Sequence, residues 1–109
     1  MANTFKLKTK ANVGVTTVGI YTAPAATTTV VIGITLANTS GSGVNVGVGI
    51  TRAGTTEDVK LLKNAPIPQG SSLEFMQGNK VVLQTTDTLT VDSDTNNSVD
   101  ASLTIMEIT

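Results

Sequence analysis

Apolar residues recur at every second position in three separate stretches of the chain. Val44, Val46, Val48 and Ile50 share one parity, with Asn45, Gly47, Gly49 and Thr51 on the other. Val30, Ile32, Ile34 and Leu36 form a second stripe, and Val99, Ala101, Leu103 and Ile105 a third. Side chains of a strand alternate between its two faces, so each stripe predicts a strand with that set turned to a core. Between the first two stripes in chain order, Asn38-Thr-Ser-Gly-Ser-Gly43 is a turn of residues that tolerate positive φ. Its flanks echo one another, Gly33-Ile-Thr-Leu-Ala-Asn-Thr39 and Gly49-Ile-Thr-Arg-Ala-Gly-Thr55. One short echo does not make a repeat architecture; it fits two similar strands joined by a hairpin or by a crossover between sheets.

The remaining segments are shorter. Val13 and Val15 have the opposite parity to Val18 and Ile20, which predicts a bulge or tight turn at Thr16-Thr17. Lys80–Gln84 and Asp87–Asp92, separated by Thr85-Thr86, predict a hairpin. Over Thr55–Lys63 two readings compete. Thr55 and Asp58 can cap a short helix carrying Val59 and Leu62. A strand over Asp58–Lys63 is preferred, because Asn64-Ala-Pro-Ile-Pro-Gln-Gly70 follows as an extended loop. These segments add up to an all-β fold: a single antiparallel β-sandwich, jelly-roll-like, of about eight strands. The sandwich is expected over residues 12–109, with residues 1–11 as an N-terminal arm or edge strand.

Composition agrees and narrows the chemistry. Val, Ile and Thr supply 40 of 109 residues, and branching at Cβ favours extended backbone over helix. The length suits one domain. Cysteine and histidine are both absent, which removes disulfides, thiolate nucleophiles, sulfur-ligated zinc and the commonest general base near neutral pH. The formal net charge of −1 offers no concentrated positive charge for phosphates, so no nucleic-acid partner is expected. The first ten residues lack the apolar run of a signal peptide, and no segment approaches the ~20 apolar residues that span a bilayer. A protein made in a cytoplasm, with no membrane partner, is expected.

Asp92, Asp94 and Asp100 are spaced like oxygen ligands of a calcium loop. Asn97 stands where the loop needs glycine and Leu103 where it needs a closing glutamate, so a solvated polar turn is the preferred reading. Glu57-Asp58 and Asp92/Asp94 are close carboxylate pairs of the kind glycoside hydrolysis uses, yet nothing beside them forms a substrate platform. Phe5, Tyr21 and Phe75, with no tryptophan, read as core or rim packing rather than a stacking surface for sugars or bases. No catalytic, cofactor-binding or metal-ligating residue is predicted, and the chain is not expected to be an enzyme. Lys6, Lys8 and Lys10 alternate with Leu7 and Thr9. This basic strand is either protection of a sheet edge or an arm that contacts a partner through Phe5, Lys6, Leu7, Lys8 and Lys10. Only 14% of the residues are charged, against roughly 25–35% on a free-standing soluble surface. Twenty threonines with Asn and Ser fill the polar positions, a surface suited to large permanent contacts.

The order of certain motifs resembles the small β-sandwich structural proteins of tailed bacteriophages, especially those of cyanobacterial and marine hosts. The resemblance is carried by Thr29-Val-Val-Ile-Gly-Ile-Thr-Leu-Ala-Asn-Thr39, Lys63-Asn-Ala-Pro-Ile-Pro-Gln-Gly-Ser-Ser-Leu73, Lys80-Val-Val-Leu-Gln84, Asp87-Thr-Leu-Thr-Val91 and Ser98-Val-Asp-Ala-Ser-Leu-Thr-Ile-Met-Glu-Ile108. It covers most of the chain beyond residue 18. Met106-Glu-Ile stands where such chains carry Leu-Glu-Ile, and Gln84-Thr-Thr-Asp87 where they often carry Glu-Ala-Gly-Asp. The resemblance implies a homo-oligomeric virion protein that contacts other virion proteins, most of all as capsid decoration (cement). A neck or tail position, or a carbohydrate-binding adsorption module, is the alternative.

Overall fold

The computed structural model describes residues 3–52, 57–75 and 81–109, without the side chains of Glu57 and Phe75. Its elements are nine strands: β1 (Asn3–Val13), β2 (Val18–Thr22), β3 (Thr28–Asn38), β4 (Val44–Arg52), β5 (Glu57–Ile67), β6 (Ser72–Phe75), β7 (Val81–Leu83), β8 (Thr88–Ser93) and β9 (Val99–Ile108). One sheet runs β1-β9-β3-β6, with β7 also on β3, and the other runs β2-β8-β4-β5. Every pairing is antiparallel. The pairs nest: β1 with β9, β2 with β8, β3 with β6 and β7, and β4 with β5 at the tip. This is the jelly roll, one long hairpin wrapped into a sandwich. The expected eight strands become nine because β6 and β7 are two pieces occupying one place beside β3.

Leu36, Val48, Leu83, Leu89, Val99, Leu103 and Ile105 are fully buried between the sheets. The stripe Val99, Ala101, Leu103, Ile105 is buried throughout, and Val44, Val46 and Val48 are buried with Ile50 half-buried. The second stripe needs a correction. The pairing of β3 with β9 shifts between Val31 and Gly33, and a bulge of one residue reverses the faces beyond it. Val31 is therefore buried before the bulge and Ile34 and Leu36 after it, while Val30 and Ile32 are only half-buried.

The connection at 38–43 is the crossover of the two readings given for it, and the hairpin expected across Thr85-Thr86 is a second crossover. The chain passes between sheets at 38–43 and again at 84–87, so Val81–Leu83 and Thr88–Ser93 are not a hairpin. Buried polar side chains hold both crossings. The Asn38 amide donates to the carbonyls of Ser42 and Ile67, each at 2.9 Å, and its oxygen accepts from the Ser40 amide. Asp87 accepts from the Gln84 amide at 3.0 Å and pairs with Arg52 Nε at 2.9 Å. The strand preferred over 58–63 is present but continues through Pro66 to Ile67, where an extended loop was expected. Thr55, the helix cap considered above, lies outside the described residues.

β5 is bulged twice against β4, between the partners of Val46 and Val48 and of Val48 and Gly49. The bulges bring main-chain carbonyls over β4. A Cβ at Gly49 would stand 2.9 Å from the Val59 carbonyl, and one at Gly47 would stand 2.7 Å from Asp92 Oδ1. Close approach of the main chain, rather than backbone angle, requires glycine at Gly49, whereas at Gly47 the nearest atom is the end of the Asp92 side chain.

Candidate assembly surface

β1 is an edge strand with an unusual burial pattern. From Asn3 to Asn12 every residue is exposed except half-buried Lys8, and only Val13 is buried. Its hold on the sandwich is a continuous ladder to β9, from Asn3 opposite Ile108 to Lys10 opposite Ala101. Residues directly opposite in a ladder share a face. Lys6, Lys8 and Lys10 stand opposite Ile105, Leu103 and Ala101, whose side chains are buried, so the three lysines start on the inner face of the sheet. Inward charge on an edge strand opposes edge-to-edge association.

The predicted contact residues are thus divided between two faces. Phe5 and Leu7 point outward and are 69% and 65% exposed, which corrects the expectation that Phe5 packs in the core or its rim. Tyr21 is buried, as expected of it. The Phe75 side chain lies outside the described residues.

At the inner face, Lys6 anchors β1 through a network that sequence reading missed. Its Nζ lies 2.8 Å from Glu107 Oε1. The Tyr21 hydroxyl donates to Glu107 Oε2 at 2.5 Å and accepts from Thr29 Oγ1 at 2.8 Å. The group joins β1, β2, β3 and β9. Lys6 and then Tyr21 hold the Glu107 carboxyl below the usual glutamate range, and burial together with the carboxylate pushes Tyr21 up to about 12. The parity of the third stripe already pointed here, since Glu107 is its next member.

Register also defines the outer face. Phe5, Met106, Val30 and Val82 stand opposite one another in one apolar row across β1, β9, β3 and β7. Further along the same strands, Thr9, Ala11, Ser102, Thr35 and Ala37 line a shallow hollow of about 300 Å³. A ridge and a hollow therefore share one face. On the other sheet a smaller polar groove of about 140 Å³ runs along Thr17, Gly49, Thr51, Asp58, Lys60 and Thr90.

The acidic residues singled out above are dispersed. Asp92 accepts from Thr17 at 2.9 Å and lies 3.8 Å from Lys60, on the outer face of the β2-containing sheet. Asp100 is opposite Ala37 on the outer face of the β1-containing sheet, and accepts from the Asn12 amide at 3.0 Å. Asp94 accepts from the Asn45 amide at 3.1 Å. Among the described residues no three acidic side chains come together as a cation site. Asp58 is exposed opposite Thr51, and the Glu57 side chain lies outside the described residues.

Comparison with protein-family models gives no match, and neither does comparison with curated proteins. Among solved structures, the chain is similar to one from work described as "Bacillus endospore appendages form a novel family of disulfide-linked pili", with a TM-score of 0.57 and 16% identity over 99% of this chain and 87% of that one. At that identity the likeness is one of fold. No helix among the described residues is long and apolar enough to cross a membrane.

Proposed function

We propose that the chain is a multi-copy structural subunit, and that its place is the virion of a tailed phage as a capsid decoration protein. The observation that carries the structural role is β1. Residues 3–12 form a sheet edge that buries no apolar side chain in the chain's own fold, while Phe5 and Leu7 stand in solvent. Surface of that kind gains its burial from a neighbour. The low charge content, 14%, supports the same role, and the ordered motifs described above support the virion.

The fold shared with a subunit of the endospore pili supports the coarser reading of a protein that polymerises. Those pili are disulfide-linked, whereas these 109 residues contain no cysteine and can form no disulfide. The test is immunogold labelling of phage particles with an antibody to the chain, paired with the double variant Phe5→Ser and Leu7→Ser, which keeps the β1–β9 ladder. Regular labelling of capsids, weakened in the double variant, is the expected result. Labelling of the neck or tail would relocate the protein, and unlabelled particles would overturn the virion assignment.

A further inference from the structure

We infer that the outer face of the β1-β9-β3 sheet is a self-complementary dimer surface, on which the ridge of one copy seats in the hollow of a second. The inference rests on the assembly reading and specifies the surface and the partner. Its basis is the arrangement of side chains about one row. Leu7, Thr104 and Gly33 lie close to a common level, Thr104 being paired with both of the others. On β9, Met106 stands two residues to one side of Thr104 and Ser102 two to the other. On β3, Val30 lies on the ridge side of Gly33, and Thr35 and Ala37 on the hollow side. On β1, Phe5 and Leu7 give way to Thr9 and Ala11.

A two-fold axis lying between two such faces, perpendicular to the strands at this row, sets β1 against β1 with direction reversed. Met106 then faces Ser102 of the second copy, and Phe5 faces Thr9 at the near side of the hollow, a level about 14 Å along the strand from Phe5 at ~3.4 Å per residue. Isologous pairing of this kind demands a patch that complements itself.

Charge and area both permit it. A two-fold contact near its axis brings each charge close to its own copy, so the centre of the patch must be neutral. From the Phe5 level to the Thr9 level the outward residues of β1, β9 and β3 are uncharged, and the lysines of β1 point to the inner face; Asp100 lines the far end of the hollow, four residues from the Thr104 row and opposite Ala37. The sandwich measures 45 × 27 × 22 Å, so its broad face offers on the order of 1,000 Å², against ~800 Å² per partner in a stable interface.

The lack of cysteine allows a direct test. Thr104→Cys, Met106→Cys and Ser102→Cys are prepared singly and treated with a bis-maleimide of about 8 Å span, suited to sheets stacked ~10 Å apart. The untreated wild type should sediment at twice the chain mass of 11.2 kDa. Thr104→Cys should cross-link to itself, whereas Met106→Cys and Ser102→Cys should cross-link only when mixed. Self-linking of Met106→Cys would show ridge against ridge and overturn the arrangement. An oligomeric wild type in which none of the three cross-links would place assembly on another surface, ending this inference while leaving the structural role. A wild type that remains monomeric throughout a concentration series would overturn it as well.

Discussion

Removing one hydroxyl, in Tyr21→Phe, tests the account of how β1 is held. The ring stays, so the packing of a side chain only 7% exposed is kept and no large cavity opens. The bond from the hydroxyl to Glu107 Oε2 is lost, and Thr29 Oγ1 loses its partner in Tyr21. A hydrogen bond to a charged group is worth about 1.5–3 kcal/mol, so the variant should be less stable by that amount at pH 7. Urea unfolding should show it as a lower midpoint with unchanged slope. The pH dependence supplies a second reading. Tyrosine ionises near 10 in the unfolded chain, and near 12 in the folded one. Between those values the folded state holds more protons, so stability falls as pH rises, by ~3 kcal/mol over two units. The phenylalanine variant lacks this loss, and the gap between the two proteins should close over that window. At the acid end the sign is opposite. The depressed Glu107 carboxyl stabilises the fold above the ordinary glutamate range, and that contribution disappears as pH falls below it. Tyr21 is the only tyrosine and there is no tryptophan, so tyrosinate absorbance reports this single group. A native titration midpoint near 10, or a loss under ~0.5 kcal/mol at pH 7, would refute the network as described.

Three further outcomes follow from packing. Ile34→Ala should cost about 2–5 kcal/mol, but Val30→Ala under ~1 kcal/mol, because the β3 bulge separates them; equal losses in urea melts would contradict the bulge. Gly49→Ala should destabilise by about 1–3 kcal/mol, since its Cβ would meet the Val59 carbonyl. At Gly33 nothing lies within 4 Å of an added Cβ, and alanine should be neutral or stabilising by a few tenths of a kcal/mol. Treatment with a chelator should leave the melting temperature unchanged, whereas a drop of several degrees would show that a metal ion supports the fold.

The contrast between these glycines shows where sequence reading stops. Gly33-Ile-Thr and Gly49-Ile-Thr are identical triplets, but the first lies in open space and the second under a bulged strand. Only the neighbouring strand distinguishes them. The stripe from Val99 to Ile105 was legible because β9 is flanked on both sides and carries no bulge within that stripe. The stripe from Val30 was half misread because one inserted residue inverts parity without altering composition. Thr85-Thr86 looked like a hairpin turn because a short crossing between sheets uses the same residue types. For the candidate surface, alternation told Lys6, Lys8 and Lys10 apart from Phe5 and Leu7. Which set faced the core depended on register with β9, 91 to 101 residues further along the chain.

Nesting of the strands has a consequence for engineering. Asn3 is paired with Ile108, so the two limits of the wrapped hairpin meet at one corner of the sandwich, and the 38–43 turn lies at the opposite end. Joining that corner through a short flexible linker and opening the chain within Ser40–Gly43 would give a circular permutant with every ladder intact. Foreign sequence fused at either limit would crowd the Phe5 and Met106 corner, whereas sequence carried at the opened turn would project from the far end.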